Sequence, residues 1–476
     1  MTMNPSIVWL RQDLRIEDNP ALQEAIGSGG PVIPVYNWAP EEEGGWPPGA
    51  ASRWWLHNSL KRLQKELENI GLSLVIRSGS TLANLEQIID KTGATAVFWN
   101  RRYEPASIQR DAMVKAELTR LGILAKSFNG NLLFEPWTIL NKQNAPFKVF
   151  TPFWKACLAR GEPSEPLPHP MKVAKKQLAV ETLMLDQLEL LPKIHWDKGL
   201  YEEWTPGTIN AKKMLERFLK KGVDSYSELR DHPDEQGTSK MSPYLHFGEI
   251  TSRMIWHAVM KSKTHTASSE IYLKQLGWRE FAHHLLYHFP LTTSKPLRPD
   301  FNEFPWNDNK DWVKAWHKGY TGYPIVDAGM RQLWTTGWMH NRVRMIVGSF
   351  LVKDLLISWQ EGVRWFWDTL VDADLANNTM GWQWVSGCGA DAAPYFRVFN
   401  PVIQGEKFDL SGDYVRKWIP EIADLPNKWL HCPWEAPQDV LSKAGIVIGK
   451  TYPPPIVDHA EARLKALNAF HALKNR

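Results

Sequence analysis

Gly337-Trp338-Met339-His340-Asn341-Arg342-Val343-Arg344-Met345 opens a run that, with Gly381-Trp382-Gln383-Trp384 downstream, sets the character of the C-terminal half. From Met339 to Leu356, Met339, Val343, Ile346, Phe350 and Leu351 recur at threes and fours, the period of an amphipathic helix. Residues three and four apart are helix neighbours, so Asn341, Arg342 and Met345 share one face. Trp334, Trp338, Trp359, Trp365, Trp367, Trp382 and Trp384 surround the run. An amide, a guanidinium and a thioether beside indoles suit a planar, polar, aromatic ligand. The same pattern also fits a Trp-rich core helix with a solvated Arg edge.

At 476 residues the chain can hold two or three domains and bury a large core. A net charge of +4 does not argue for a nucleic-acid partner by itself, so that case rests on where the arginines sit. Twenty-five tryptophans against twelve tyrosines invite a stacking or electron-transfer role, although large aromatics are also good core material. Cys157, Cys388 and Cys432 are far apart and form no CxxC, which argues against a disulfide framework or a zinc site and fits a reducing cytosol. The opening residues lack a signal-peptide pattern. The longest apolar helix, near 345–359, is broken by Lys353-Asp354 and is too short to span a bilayer. A soluble cytoplasmic protein without a membrane partner is expected.

Towards the N-terminus the pattern changes. Apolar strands at 6–10, 32–38, 72–77 and 96–100 alternate with helices at 21–26, 52–70, 82–91 and 106–121. Asn19-Pro20 reads as the start of the first helix. Alternation of this kind implies an α/β domain with a parallel sheet covered on both faces. Ligands of such sheets bind at the carboxyl ends of the strands, which places Arg11, Tyr36, Asn100 and Arg101 along a crevice. There is no GxGxxG; Gly27-Ser28-Gly29-Gly30 lies between a helix and a strand and reads as a turn. The expected organisation is an α/β domain over 1–129, a Pro- and Lys-rich connection over 130–207, and a larger all-α domain over 208–476.

In the helical half, Thr238-Ser239-Lys240-Met241-Ser242-Pro243 combines hydroxyls, a lysine and a helix start, with Ser242 as N-cap. That grouping suits a phosphate or an ordinary capped helix. His284 and His288 have metal-ligand spacing, but the glutamate of HExxH is missing, and packed or surface histidines are the better reading.

Several long motifs occur together and in order: Trp9-Leu10-Arg11-Gln12-Asp13-Leu14-Arg15, Thr238 to Leu245, Trp278-Arg279-Glu280-Phe281, Thr321 to Ala328, Trp338-Met339-His340-Asn341-Arg342, Gly381-Trp382-Gln383-Trp384 and Phe399-Asn400-Pro401. In these the chain resembles the photolyase/cryptochrome family along nearly its whole length, specifically the bacterial cyclobutane pyrimidine dimer photolyases. Phe128 to Pro136 and Trp204-Thr205-Pro206-Gly207 are similar to the class III branch.

The resemblance implies a Rossmann-like antenna domain followed by an all-helical FAD domain. By matched position, Tyr226, Thr238, Ser239, Lys240, Met241 and Ser242 would hold the flavin phosphates. Tyr272, Arg279, Arg344, Asp372, Ala373 and Asp374 would complete the flavin site, and Asp372 could pair with Arg344. Asn378 would stand beside flavin N5, where a neutral amide can bond either protonation state. Without the family, the two aspartates read as helix caps or surface partners.

UV-damaged DNA, double or single stranded, is the implied partner of a monomeric enzyme. Trp278 and Trp384 would wedge a flipped dimer above Asn341 and Met345, while Arg230, Arg342 and Arg397 would meet phosphates and Gln404 would lie on the DNA side. The implied chemistry is light-driven donation of an electron from reduced FAD to the dimer, with its return after the cyclobutane bonds break. Trp382, Trp359 and Trp306 would relay electrons to the flavin from the surface. Gln275 replaces the usual Glu at the thymine pair and offers an amide without the charge. Gln is common there in the (6-4) photolyase branch, but that branch has His where this chain has Met345, which favours dimer repair. The implied antenna is 5,10-methenyltetrahydrofolate near Tyr36 and the Asn100–Glu104 turn, with a deazaflavin or no antenna as alternatives. The competing function is a cryptochrome-like blue-light photoreceptor; Asn378 and the chain's ending in a helical run without a long tail favour repair.

Overall fold

The computed structural model describes residues 4–173, 179–262, 266–395 and 397–474. It divides into two units: Met1–Val223 with Ser239–Pro290 and Val371–Ala373, and Asp224–Thr238 with Leu291–Leu370 and Asp374–Arg476.

The first unit contains a five-stranded parallel sheet of order β3-β2-β1-β4-β5. Its strands are β1 (Ser6–Leu10), β2 (Val32–Trp38), β3 (Val75–Ser78), β4 (Ala96–Asn100) and β5 (Leu124–Phe128). Helices α1 (Pro20–Gly27), α2 (Ala50–Asn69), α3 (Thr81–Thr92) and α4 (Pro105–Arg120) alternate with them. The α/β expectation therefore holds, and it has a plain cause: β1 is apolar and buried along its whole length, as a strand covered on both faces must be. Ile7, Trp9, Val35, Val97 and Trp99 form the core with Leu85 and Leu118 from the helices. Asn19 caps α1 by accepting from the Leu22 N–H, with Pro20 in the first turn. Gly29, at φ 73°, makes the turn into β2.

At the strand ends, Arg11, Asn100 and Arg101 are engaged by internal partners. Arg11 donates to both oxygens of Asp111 at 2.7 Å and to the Asn100 carbonyl. The Asn100 amide donates to Asp13 at 2.6 Å and to Asn19 at 2.8 Å. Arg101 is held by Glu135 and the Ser127 carbonyl, and Tyr36 is buried. Arg15, fully buried, donates to the carbonyls of Asp18, Gly130 and Gly248. The first motif is thus an internal polar clamp, because buried guanidinium groups must find acceptors.

The segment after β5 also belongs to this unit. It carries α5 (Phe150–Leu158) and hydrogen-bonds back through Val173 N to Ile70 O and Leu183 N to Ile76 O, at 2.8 and 2.9 Å. The 22-residue helix Ala267–His288 lies in the same unit.

The second unit is helical throughout its described elements, including Pro324–Thr336, Asn341–Ser349, Trp359–Thr369, Leu375–Ser386 and Pro401–Phe408. The run expected from Met339 to Leu356 is a helix to Ser349 followed by a π-helical turn over Phe350–Asp354. Asp327 organises the Thr321–Ala328 motif: buried, it accepts from Thr321 N and Oγ, Gly322 N and the Tyr452 hydroxyl at 2.7 to 3.1 Å.

Candidate functional site

In the first unit the Ser239–Ser242 segment has a local geometry that an ordinary capped helix would not need. Lys240 takes φ 51°, a left-handed conformation that is uncommon for a non-glycine residue. Its ammonium pairs with Glu203 and lies 5.8 Å from the Trp204 ring centre. Ser239 Oγ accepts from the Tyr272 hydroxyl at 3.1 Å. Met241, not Ser242, is the residue before the helix; Ser242 is exposed at its first position, because Pro243 follows directly and the helix is only Ser242–His246. The serine hydroxyl is therefore not spent on a side-chain cap.

On the helix Ala267–His288, Arg279 donates to Asn131 O at 3.1 Å and Ser252 Oγ at 3.3 Å. Glu280 accepts the N–H groups of Leu133 and Phe134, and burial raises its pKa to about 7 despite the neighbouring Arg279. These two residues pin the segment after β5. Gln275 spends its amide on the Ile271 carbonyl at 3.2 Å, which leaves its own carbonyl oxygen turned away from that bond. His284 bonds Phe147 N and Pro136 O, His288 bonds Pro136 O, and burial lowers His284 to about 4. Their ring nitrogens serve the backbone, as packed histidines do.

Trp278, half-buried, stacks on Phe150 of α5 with ring centres 3.8 Å apart and planes 8° apart. Phe150 lies parallel to Trp154 in turn, at 6.4 Å and 10°. A Cβ on Gly277 would stand 2.6 Å from the Trp154 ring, so glycine allows this approach. Phe150, with Trp154 parallel to it, thus backs one face of Trp278. Nothing in the Pro- and Lys-rich composition of 130–207 points to this role; the one available signal was the cluster Phe150, Phe153, Trp154. Asp372 and Ala373 also lie in this unit and are buried.

The second unit contributes the helix Leu375–Ser386. Asp374 is its N-cap, accepting from Asn377 N at 2.8 Å and Asn377 Nδ2 at 2.6 Å. Asn378, 9 % exposed, donates one amide hydrogen to Val363 O at 3.0 Å and retains its carbonyl oxygen. One turn on, Trp382 is 3 % exposed and packed against Gly362, where a Cβ would come within 2.0 Å of the ring. Phe366 and Trp316 close its edges with centres 5.0 and 6.1 Å away. Trp359 begins the helix that carries Gly362 and is 2 % exposed. Asn307 N bonds Leu356 O at 2.7 Å, which sets half-exposed Trp306 beside the turn leading into Trp359. The three tryptophans named from the sequence therefore lie on adjoining segments and pass from buried to half-exposed. A further aromatic file, unseen in the sequence, runs from Trp316 to His317, then Trp365 at 3.7 Å and Trp334 at 5.9 Å, which is 59 % exposed.

Gln383 donates to Thr292 O and Lys295 O and accepts Leu297 N, a structural role within its motif. Trp384 is half-buried. Asn341, exposed, points its amide at Met345 Sδ, 3.9 Å away, as their shared face requires. Arg344 Nε donates to Met339 O at 2.8 Å. Tyr226 is buried under the Arg230 guanidinium at 5.5 Å; Arg397 is exposed and Gln404 half-buried.

Within the first unit, hydroxyls and a lysine are groups that suit a phosphate; within the second, a capping carboxylate and a neutral amide share one helix. No helix among the described residues is long and apolar enough to cross a membrane.

The chain is similar to known proteins along its whole length. Residues 6–172 match the family model described as DNA photolyase, and residues 272–472 match the FAD binding domain of DNA photolyase. The deoxyribodipyrimidine photo-lyase of Agrobacterium fabrum is 48% identical over 99% of this chain and 98% of its own length. Cryptochrome-1 of Arabidopsis thaliana is 43% identical over 96% of this chain, which spans 69% of that protein. A bacterial class III photolyase from Agrobacterium tumefaciens superposes with a TM-score of 0.97 at 47% identity, covering 100% of this chain and 99% of its own. The chain belongs to the photolyase/cryptochrome family.

Proposed function

We propose that this protein is a deoxyribodipyrimidine photo-lyase that repairs cyclobutane pyrimidine dimers in UV-damaged DNA under blue light, acting as a monomer. The observation that carries the reading is the helix Leu375–Ser386, which brings a capping carboxylate, the buried amide of Asn378 and the buried indole of Trp382 onto three successive turns. FAD, when bound, supplies light absorption and the electron that splits the dimer.

The protein's own side chains bind, orient and exclude water. Tyr226, Thr238, Ser239, Lys240, Met241, Ser242 and Arg279 would serve the diphosphate end. Asp372, Asp374 and Arg344 would serve the ribityl and ring region. Asn378 Oδ1 is the acceptor left for a ring N–H once Val363 has taken one amide hydrogen. A dimer must leave the base stack to be reached, as a base must for any enzyme that does chemistry on it within a duplex. Trp278 and Trp384 would then flank it. Gln275, its amide held by Ile271, would offer a carbonyl acceptor to a thymine imide N–H. Trp382, Trp359 and Trp306 would carry electrons inward from solvent.

For the antenna we infer 5,10-methenyltetrahydrofolate, supported by the likeness to a class III enzyme. The Asn100–Glu104 turn is laced by Arg102–Glu43 and Arg102–Glu104 pairs at 2.7 and 3.1 Å. Mass spectrometry of the acid-released chromophore tests this: a pterin supports it, a deazaflavin replaces it.

The photoreceptor reading rests on the 43% identity to a plant cryptochrome. Light-dependent loss of a thymine dimer from an oligonucleotide separates the two. Repair supports the photolyase; retention of the dimer by FAD-loaded, photoreduced protein supports the photoreceptor.

A further inference from the structure

We infer that Asp231 restrains DNA-backbone binding by occupying two arginines that would otherwise grip any phosphate backbone. The inference rests on the photolyase reading, which places Arg230 and Arg342 on the DNA side.

Asp231 Oδ2 lies 2.9 Å from Arg342 Nη2, and its Oδ1 lies 3.8 Å from Arg230 Nε. The Arg342 guanidinium is also seated over the Phe408 ring at 4.3 Å. Its Nε–H is buried without a hydrogen-bond partner. His340, whose Nδ1 accepts the Arg342 N–H at 3.2 Å, is kept neutral by burial and adds no charge.

This is an arginine held by one hand. A guanidinium that existed only for structure would pair in a bidentate fashion and satisfy all its donors. Here one carboxylate contacts one nitrogen, and another donor is left over. The side chains of Arg342 and Asp231 are 18 % and 32 % exposed, so the pair is reachable and weak enough for a phosphate to compete. Two arginines and one aspartate carry a net charge of +1 where the arginines alone would carry +2. Specificity is a ratio of affinities, and a built-in competitor lowers backbone binding everywhere. Damaged and undamaged DNA share that backbone term, so the ratio stays where the wedge and pocket contacts set it; what falls is the undamaged binding that would hold the protein away from a lesion.

Asp231→Asn in the full-length FAD-loaded protein tests this by fluorescence anisotropy, with an undamaged duplex and the same duplex carrying one thymine dimer, in the dark across salt concentrations. The expected result is tighter binding to both DNAs by a similar factor, with the lesion preference unchanged. The salt slope should steepen by about one, or roughly a three- to fourfold greater loss of affinity over a fourfold rise in salt. Asp231→Glu should return the wild-type slope. If Asp231 only props Arg342 in place, Asp231→Asn will weaken both DNAs and flatten the slope, which overturns the inference. An unchanged slope also overturns it. None of these readouts needs light, so they stand apart from whether the protein repairs dimers.

Discussion

Replacing Phe150 by Leu removes the stack behind Trp278 while keeping most of the volume. Phe150 is 7 % exposed, lies 3.8 Å from Trp278 and touches Phe281 edge-on at 6.0 Å. Alanine would leave a cavity costing about 3–5 kcal/mol, so the fold itself would become the readout. Leucine loses the ring pairing, on the order of 1–2 kcal/mol of stability, which a protein of this size can bear. The functional effect comes from Trp278, which must then be immobilised by the substrate instead of by Phe150. Ordering one such side chain costs about 0.5–1.5 kcal/mol, or roughly a two- to tenfold weaker hold on a dimer. Undamaged DNA should bind as before, because Phe150 carries no charge. Anisotropy titrations with both duplexes at fixed salt, alongside denaturant unfolding, separate the terms. Equal weakening on both DNAs, or lost stability with an unchanged dimer Kd, would refute the wedge reading.

Other outcomes follow from the same geometry. Trp382→Phe should abolish photoreduction of bound flavin, whereas Trp306→Phe should slow it and leave a residue that disappears on adding Trp334→Phe; absorption during illumination reads this directly. Asp327→Ala strands the Thr321 and Gly322 N–H groups and the Tyr452 hydroxyl, and should cost on the order of 3 kcal/mol or more, seen as a clear fall in Tm. Burial raises Glu249 to about 8 from the ordinary carboxyl value of 4.5. Between those values the folded chain holds a proton that the unfolded chain has lost, so this group's stabilisation is full below the lower value and lost as pH rises through the upper one. Glu249→Gln should flatten Tm against pH between about 6 and 8; an unchanged slope would show that the carboxyl is ionised in the fold.

Periodicity carried the α/β half well wherever burial was two-sided. β1, β2 and β4 begin and end where their apolar runs do. β5, Leu-Ala-Lys-Ser-Phe, is a half-exposed edge strand with no such run, and it stayed invisible. The Met339–Leu356 helix could not announce its π turn: Val347 O also accepts the Trp316 indole N–H at 3.1 Å, a tertiary contact that no helical period encodes. Arg11 looked like a site residue because charge at strand ends usually is, yet its acceptors, Asp111 and the Asn100 carbonyl, come from positions about 90 to 100 residues away. The tryptophan and asparagine positions of the site were legible only through family motifs. Phe150 and Asp231 lie outside those motifs, and only their neighbours in space reveal them.

The most direct measurement is dimer loss from a thymine-dimer oligonucleotide incubated with photoreduced protein under blue light and in darkness. Loss in the light alone is the predicted result, and it would show that Gln275 serves in place of a carboxylate. An intact dimer in the light, with FAD bound and DNA retained, would contradict the account.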